Sequence, residues 1–201
     1  MKRKEQKERI ITAARACFAR YGYEKTTMED IGRQVGLNKT SLYHYFKNKD
    51  DIFNQVILLE KTDYFDAIRS KLKRIKECEK RIFTFLEERL YFFSKVPTLA
   101  SISIDTIQKN QPLFEKLGKF LSKVEIEFLS EIIGECIENG DIIQCDSNRV
   151  AQSIITVADA IKMKMVKNLN ILRITDIDFS GINKEIIFTV SLILQGLKRE
   201  G

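Results

Sequence analysis

Six polar side chains between positions 27 and 49 have the chemistry needed to bind a polyanion. They provide two hydroxyls, two ammonium groups, a phenol and the only imidazole of the chain, in the order Thr27, Lys39, Thr40, Tyr43, His44 and Lys49. Groups of this kind donate hydrogen bonds to phosphate oxygens and to base edges. Their types and spacing indicate noncovalent contact with nucleic acid.

The net charge of the chain is concentrated in the same region. Residues 1–49 hold 12 Lys and Arg against 5 Asp and Glu, a net charge of +7, whereas residues 50–201 hold 22 against 23. A basic segment beside a nearly neutral remainder indicates that the first part meets a polyanion and that the rest has another role.

Three short helices are predicted to position these side chains. Apolar residues recur at helical spacing over 10–21, a Thr-x-x-Asp capping pattern opens a second helix over 27–35, and an asparagine cap opens a third over 38–46. Leu42 and Phe46 are expected to face inward. The outward face of the third helix then carries Lys39, Thr40, Tyr43 and His44. The short turn between the second and third helices is typical of a helix-turn-helix.

The rest of the chain is predicted to be helical as well, which gives an all-α fold of about nine helices. Helix 4 is expected to be long, from a cap at Asn48 to about Lys73 or Ile75. Further helical patterns cover 79–96, 112–139, 147–168 and, after a cap at Asn183, 184–199, with a less regular segment over 99–111. Because no Gly/Ser linker interrupts the pattern, helix 4 is expected to join two domains, 1–50 and 51–201.

The segment from Phe18 to Phe53, FARYGYEKTTMEDIGRQVGLNKTSLYHYFKNKDDIF, resembles the N-terminal DNA-binding domain of the TetR family of bacterial transcriptional regulators. The resemblance lies in Tyr-Gly at the end of helix 1, Thr-Thr-x-x-Asp-Ile entering helix 2 and Leu-Tyr-x-Tyr-Phe-x-x-Lys leaving helix 3. Gly32 departs from the alanine common in the family, and Thr40 from a frequent glycine. Gly32 should cost about 1 kcal/mol of helix propensity, and it would let helices 2 and 3 approach closely.

The resemblance implies a homodimer, most often a repressor, that binds a palindromic DNA operator and is released by a small, apolar effector bound to residues 51–201. Thr27, Lys39, Tyr43, His44 and Lys49 match positions that contact DNA in the family. Lys2, Arg3 and Lys4 would form an arm near the minor groove. The alternative is a DNA-organising or division-linked protein whose C-terminal domain binds a protein partner.

Two helices near the C-terminus have apolar faces broader than a single core contact requires. They are expected to form a four-helix dimer interface through Ile154, Val157, Ile161, Val190, Leu194 and Leu197. The alternative is that both helices are central in the core of a monomer.

Aromatic residues in residues 51–201 exceed what one packed stripe needs, so some of them could line an effector pocket. The candidates, with two polar residues that could orient a ligand, are Phe83, Tyr91, Phe92, Phe114, Phe120, Asp159 and Lys162. Ordinary core packing is the alternative for the aromatic residues. Exposure or a contact across the dimer is the alternative for the two polar residues.

The chain shows no pattern of an enzyme. Residues 51–201 contain no histidine, no glycine-rich phosphate loop and no G-x-S-x-G, so no cofactor or metal is predicted. Four widely spaced cysteines are expected to be reduced packing residues, with a structural metal site as a remote alternative. The charged N-terminus lacks the apolar segment of a signal peptide, which favours a cytoplasmic protein.

Overall fold

The computed structural model describes residues 2–100, 102–167 and 174–198, and these residues are overwhelmingly helical. The described residues form ten α-helices: α1 Lys2–Lys25, α2 Met28–Gln34, α3 Lys39–Tyr43, α4 Lys49–Leu72, α5 Cys78–Lys95, α6 Pro97–Ala100, α7 Ile104–Lys109, α8 Gln111–Glu138, α9 Ser147–Lys167 and α10 Phe179–Gln195. The predicted all-α fold is confirmed. Within the described ranges, none of the helices is both long and apolar enough to cross a lipid bilayer.

Two helices begin earlier than their apolar patterns predicted. Helix α1 starts at Lys2 rather than near Ile10, because its first two turns consist mainly of exposed charged residues that are good helix formers and need no buried face. Helix α10 starts at Phe179, where the Asp178 carboxylate accepts a hydrogen bond from the Ser180 backbone N–H at 2.9 Å. The predicted cap at Asn183 is therefore wrong, and the helix ends at Gln195 rather than at the predicted Arg199.

The chain divides into two compact units, each built from several segments. The first unit comprises Met1–Asp63, Phe93–Leu117 and Ile171–Asp176. The second comprises Tyr64–Phe92, Gly118–Asn170 and Ile177–Gly201. The predicted boundary after residue 50 stays a prediction.

The core of the first unit is an aromatic cluster centred on Phe53 of α4, which is fully buried. Its ring centroid lies 5.2 Å from that of Phe18, 4.9 Å from that of Tyr23 and 6.1 Å from that of Phe114. Phe114 comes from the start of α8, so a residue from the middle of the chain helps to support the N-terminal helices.

A buried carboxylate connects three helices of the same unit. The Oε1 atom of Glu60 in α4 accepts hydrogen bonds from Thr98 Oγ1 in α6 at 2.8 Å and from Arg15 Nε in α1 at 3.1 Å. Burial raises the pKa of Glu60, although the hydrogen bond from Thr98 and the charge of Arg15 oppose this shift. Helix α6 is thereby held against α1.

The core of the second unit contains a triangle of rings from α4, α5 and α8. The centroids of Phe65, Phe85 and Phe128 are between 4.8 and 5.6 Å apart. Helix α9 packs against α10, and the buried residues of the two helices include Ala151 and Val190.

Two of the four cysteines form a disulfide between Cys78 and Cys136 in the second unit, with Cα atoms 5.6 Å apart. The prediction of reduced cysteines is wrong for this pair. The start of α5 meets the end of α8, a tertiary contact across 58 residues that the cysteine spacing could not indicate. Cys17 and Cys145 are free.

Candidate nucleic-acid interface

Side-chain caps and one glycine determine the geometry of the helix-turn-helix. The Thr27 hydroxyl accepts a hydrogen bond from the Asp30 backbone N–H, and the Asp30 carboxylate accepts one from the Thr27 N–H at 3.0 Å, which completes a capping box on α2. The Asn38 side chain caps α3 by accepting a hydrogen bond from the Ser41 N–H at 2.8 Å. Between the helices, Gly36 has φ of 69°, a left-handed conformation that favours glycine. The predicted caps at Thr27 and Asn38 are confirmed.

Helix α3 buries one face and exposes the other. Leu42 is fully buried and Phe46 is 3% exposed. The exposed residues are Lys39, Thr40, Tyr43 and His44. The helix ends at Tyr43, so Phe46 contributes to the core from the turn that follows rather than from the predicted last turn of the helix.

Gly32 lets α2 and the following turn approach closely. The Gly32 carbonyl accepts hydrogen bonds from the N–H groups of Val35 at 3.1 Å and Leu37 at 2.9 Å. A Cβ atom at position 32 would lie 2.4 Å from the Leu37 carbonyl oxygen and 3.3 Å from Cδ1 of Leu42. The close approach that was expected for Gly32 is confirmed, and it explains why glycine is accepted inside a short helix.

We expect Gly32→Ala to destabilise the first unit by about 1–2 kcal/mol, because the clash with a backbone oxygen outweighs the roughly 1 kcal/mol gained in helix propensity. Urea unfolding followed by circular dichroism measures the change. Gly134→Ala is the control, since a Cβ there meets nothing within 4 Å, and it should stabilise. If both alanines stabilise, the clash at position 32 does not exist in solution.

The ammonium groups of Lys39 and Lys49 have different partners. The Lys39 ammonium is paired with Glu29 Oε1 at 2.7 Å, and both side chains are half exposed. The hydrogen bond from Lys39 lowers the pKa of Glu29. Exposed pairs of this kind contribute little to stability, so a phosphate can replace Glu29 at low cost.

The Lys49 ammonium is hydrogen-bonded to the end of α1. It donates hydrogen bonds to the backbone carbonyls of Tyr23 at 2.8 Å and Glu24 at 3.4 Å, and it lies 4.2 Å from the centre of the Tyr23 ring. Burial lowers its pKa. A cation at the carbonyl end of a helix is favourable, and the sequence pattern did not indicate this role. A phosphate contact by Lys49 stays a prediction. A phosphate contact by Thr27 also stays a prediction; this residue is exposed, and its hydroxyl donates a hydrogen bond to the Asp30 carboxylate at 2.7 Å.

The first turn of α1 is attached to the end of α3. The Arg3 guanidinium donates a hydrogen bond to the His44 carbonyl at 3.1 Å. Lys2, Arg3 and His44 line one open cleft of about 540 Å³ with Gln6 and Tyr45. The basic N-terminus is therefore a helical extension beside the exposed face of α3, and only its charge indicated such a role.

A protein-family model supplies the identity of this arrangement. The model described as bacterial regulatory proteins, tetR family, matches residues 10–56, which span α1 to the first part of α4. The chain carries a TetR-family DNA-binding domain over residues 10–56. It is a DNA-binding transcriptional regulator of that family.

Relatives of this TetR-family chain match it over most of its length. The fatty acid metabolism regulator protein of Bacillus subtilis (strain 168) is 26% identical over 157 residues, which cover 77% of this chain and 80% of that protein. The crystal structure of a transcriptional regulator from Cytophaga hutchinsonii ATCC 33406 is 25% identical, with a TM-score of 0.69 over 96% of this chain and 98% of that one. The regulator FadR from Bacillus subtilis in complex with stearoyl-CoA is 19% identical, with a TM-score of 0.59 over 91% of this chain and 96% of that one, and it shows the shared fold.

The structure places the seven candidate pocket residues of the TetR-family chain in several different settings. Phe83 lines a cleft of about 460 Å³ in the second unit. Phe92 is fully buried against Tyr64, and Tyr91 is half-buried against Phe179. Phe114 belongs to the first unit, whereas Phe120 is 43% exposed. A shared pocket for these residues stays a prediction.

Asp159 and Lys162 are half-buried members of an ionic network around the buried Arg89, which the sequence reasoning missed. Arg89 of α5, 3% exposed, donates hydrogen bonds to Glu125 of α8 at 2.9 Å and to Asp159 of α9 at 2.9 Å. Lys162 donates to the same Asp159 oxygen at 2.8 Å. Arg89 lies on the apolar stripe of α5, one turn after Phe85, and a charge in that position is the signal that could have revealed the network.

The six candidate dimer residues also differ in exposure. Ile154, Val190 and Leu194 are buried within the second unit itself. Val157, Ile161 and Leu197 are half-buried. The outer faces of the same two helices carry Met163, Phe188 and Leu192, which are 70%, 62% and 52% exposed.

Proposed function

We propose that this TetR-family regulator is a homodimeric repressor that binds a palindromic operator through α3 and releases it when a small, mainly apolar effector binds the second unit. The observation that carries the proposal is that one side of α3 is buried while the other side is exposed. The exposed residues are Lys39, Thr40, Tyr43 and His44. A helix presented in this way fits the major groove, where side chains can reach base edges.

The proposed DNA contacts have two roles. Tyr43 and Thr40 on the outer face of α3, with the exposed His44 that follows the helix, would contact bases or adjacent phosphates. Lys39, together with the cations of the first turn of α1, would bind phosphates and set the register of the protein on DNA. Thr27 and Lys49 would assist from the helix N-termini, where backbone N–H groups favour phosphate.

The proposed dimer uses the exposed faces of α9 and α10. Phe188 and Leu192 are one turn apart on α10, and Met163 lies on α9. Large apolar side chains exposed together on neighbouring helices mark a protein contact. A two-fold arrangement would bury them, with Val157, Ile161 and Leu197 at the edges of the contact. Two α3 helices would then enter major grooves about 34–36 Å apart, or a multiple of that spacing.

The proposed effector acts by preferring one conformation of the second unit. The abundance of buried rings in this unit supports a mainly apolar ligand, and a similar protein is known in complex with stearoyl-CoA. A preference of 1–3 kcal/mol for one state would change operator affinity roughly 5- to 150-fold. Since the target is genomic DNA, the proposed location is the cytoplasm.

Selection of tight-binding sequences from random duplex DNA, with the mass of the protein measured in solution, tests the proposal. A palindromic site bound by a dimer supports it. Weak, salt-sensitive binding without sequence preference overturns it and favours the DNA-organising alternative, in which the second unit holds a protein partner.

We expect Tyr43→Ala to weaken operator binding by about 1–3 kcal/mol, a loss of roughly 5- to 150-fold in affinity, because it removes a ring from the centre of the proposed contact face. Fluorescence anisotropy with the selected operator measures the affinity. Tyr21→Ala is the matched control, since this tyrosine is 46% exposed against 48% for Tyr43 but lies on α1. Equal affinities for both variants and the parent would show that the contact face is assigned to the wrong residues.

A further inference from the structure

We propose that Cys78 and Cys136 are a reversible dithiol–disulfide pair that exchanges with a small, carboxylate-bearing thiol or disulfide. The proposal rests on the proposed cytoplasmic function, because disulfides in that reducing compartment are usually transient and redox-responsive rather than permanent. The pair connects the first turn of α5 to the last turn of α8. Oxidation would therefore join these two helix ends covalently, and reduction would separate them.

The disulfide lies close to solvent although both cysteines are buried. A carboxylate oxygen of the exposed Asp141 lies within 4.8 Å of both sulfur atoms. Cys78 is 8% exposed, whereas Cys136 is fully buried. The Cys78 sulfur is therefore the one that an external thiolate would attack first.

A cavity of about 200 Å³ lies one helical turn from the pair and provides the binding place for such a reagent. Its lining includes Ile132 and Glu135, which precede Cys136 by four residues and one residue, and Arg81, three residues after Cys78. Arg81 forms an ion pair with Glu135, but its Nε atom is buried without a hydrogen-bond acceptor among the described residues.

The charge of the cavity lining favours an anionic reagent. Arg69 is paired with Glu131 and Arg81 with Glu135, so the net positive charge of the lining is one and comes from the exposed Lys73. Apolar side chains complete the wall. A small molecule with a short apolar body, a thiol and a carboxylate matches this lining.

The exchange balances through two steps. In the oxidative direction, the Cys78 thiolate attacks a small disulfide, forms a mixed disulfide and releases one small thiolate, which takes up a proton. The Cys136 thiolate then attacks the Cys78 sulfur and releases the second small thiolate. The two cysteines lose two electrons and the small disulfide gains them. Reduction follows the same steps in reverse.

The test measures thiols in the folded protein by alkylation and peptide mass mapping. We expect a 78–136 cross-link in oxidised protein, its loss within minutes in 3-mercaptopropionate without denaturant, and its return when the corresponding disulfide is added. Reduction should also lower the Tm by about 8–16 °C, because it opens a long loop in the unfolded chain. Cys145→Ser should behave like the parent, which excludes exchange with the half-exposed free thiol.

The charge of the reagent provides a second test. At equal thiolate concentration, 3-mercaptopropionate should reduce the pair at least about threefold faster than the neutral 2-mercaptoethanol. The ratio should fall in Lys73→Gln, which removes an exposed cation of the lining. Equal rates for the two thiols in the parent overturn the assignment of the cavity.

Three outcomes overturn the redox assignment itself. The cross-link never forms, or it resists reduction until denaturant is added, or the reduced pair binds Zn²⁺ with Asp141 and no longer reoxidises. None of these measurements involves DNA, so failure here is distinguishable from failure of the proposed regulatory function.

Discussion

Replacing Arg89 with methionine is expected to destabilise the second unit by about 3–5 kcal/mol, because breaking a buried ion pair on one side leaves negative charge without its compensating cation. Methionine retains the length and most of the apolar contacts of the arginine stem, so the loss reports on charge rather than on a cavity. Hydrogen exchange followed by mass spectrometry resolves peptides from the two units separately. Amides of α5, α8 and α9 should exchange at least 100-fold faster, by the usual conversion of about 1.4 kcal/mol per factor of ten.

The loss of stability in Arg89→Met should depend on pH because of the ionisation of Asp159. Burial alone would raise the pKa of Asp159, but the positive charges of Arg89 and Lys162 outweigh burial and lower the pKa to about 2. A carboxyl with a lowered folded-state pKa contributes stability above its unfolded pKa of about 4 and loses it as the pH falls toward the folded value. The stability difference between the parent and Arg89→Met should therefore shrink as the pH falls from neutral toward 2.

Two controls separate charge from packing. The double variant with Arg89→Met and Glu125→Gln should recover part of the loss, because it removes the charge of the buried Glu125 carboxylate along with the cation. Asp105→Asn breaks the exposed pair with Lys109, in which both side chains are 64% exposed, and should change stability by less than about 1 kcal/mol. If Arg89→Met costs no more than Asp105→Asn, the network is not a buried one in solution.

Local sequence patterns predicted the first unit better than the second. Thr27 with Asp30, Asn38 with Ser41, and the left-handed glycine at position 36 are signals within a few residues, and each one determines a helix end. The inward residues of α3 followed from the same short-range spacing. For this reason Lys39, Thr40, Tyr43 and His44 are exposed, as the sequence predicted, whereas the contact of Lys49 with the end of α1 was not predicted.

Contacts between distant segments could not be predicted in the same way. The pairing of Arg89 with Asp159 spans 70 residues, and that of Cys78 with Cys136 spans 58. Periodicity shows that a residue faces a core but not which helix it meets there. Hence Ile154 and Val190 were assigned to a dimer contact from a broad apolar face, although both are fully buried within the second unit.

The position of Phe114 in the first unit is another feature that local sequence patterns could not predict. Its helix, α8, begins in the first unit and continues in the second. The sequence suggested a pocket because rings are frequent in this region. The structure instead uses the ring to cover Phe53, with centroids 6.1 Å apart.

Replacing Phe53 with alanine is expected to destabilise the first unit by about 3–5 kcal/mol, the usual loss when a fully buried ring is removed and its space is only partly refilled. Rings on α1 and on the start of α8 would lose their common neighbour. Hydrogen exchange of α1, α4 and residues 110–117 measures the effect. Phe53→Leu should cost roughly half as much, and Phe120→Ala, at a 43% exposed position, should cost less than about 1 kcal/mol.

The pattern of exchange in Phe53→Ala also decides how the DNA-binding helices are supported. If residues 110–117 lose protection together with α1, then the first unit unfolds as one cooperative body that includes the start of α8. If α1 loses protection while residues 110–117 keep theirs, the helix-turn-helix is energetically separate from that segment, and the contact between Phe53 and Phe114 adds little. We expect the first result, because the Phe53 ring is fully buried and contacts Phe18, Tyr23 and Phe114 at once.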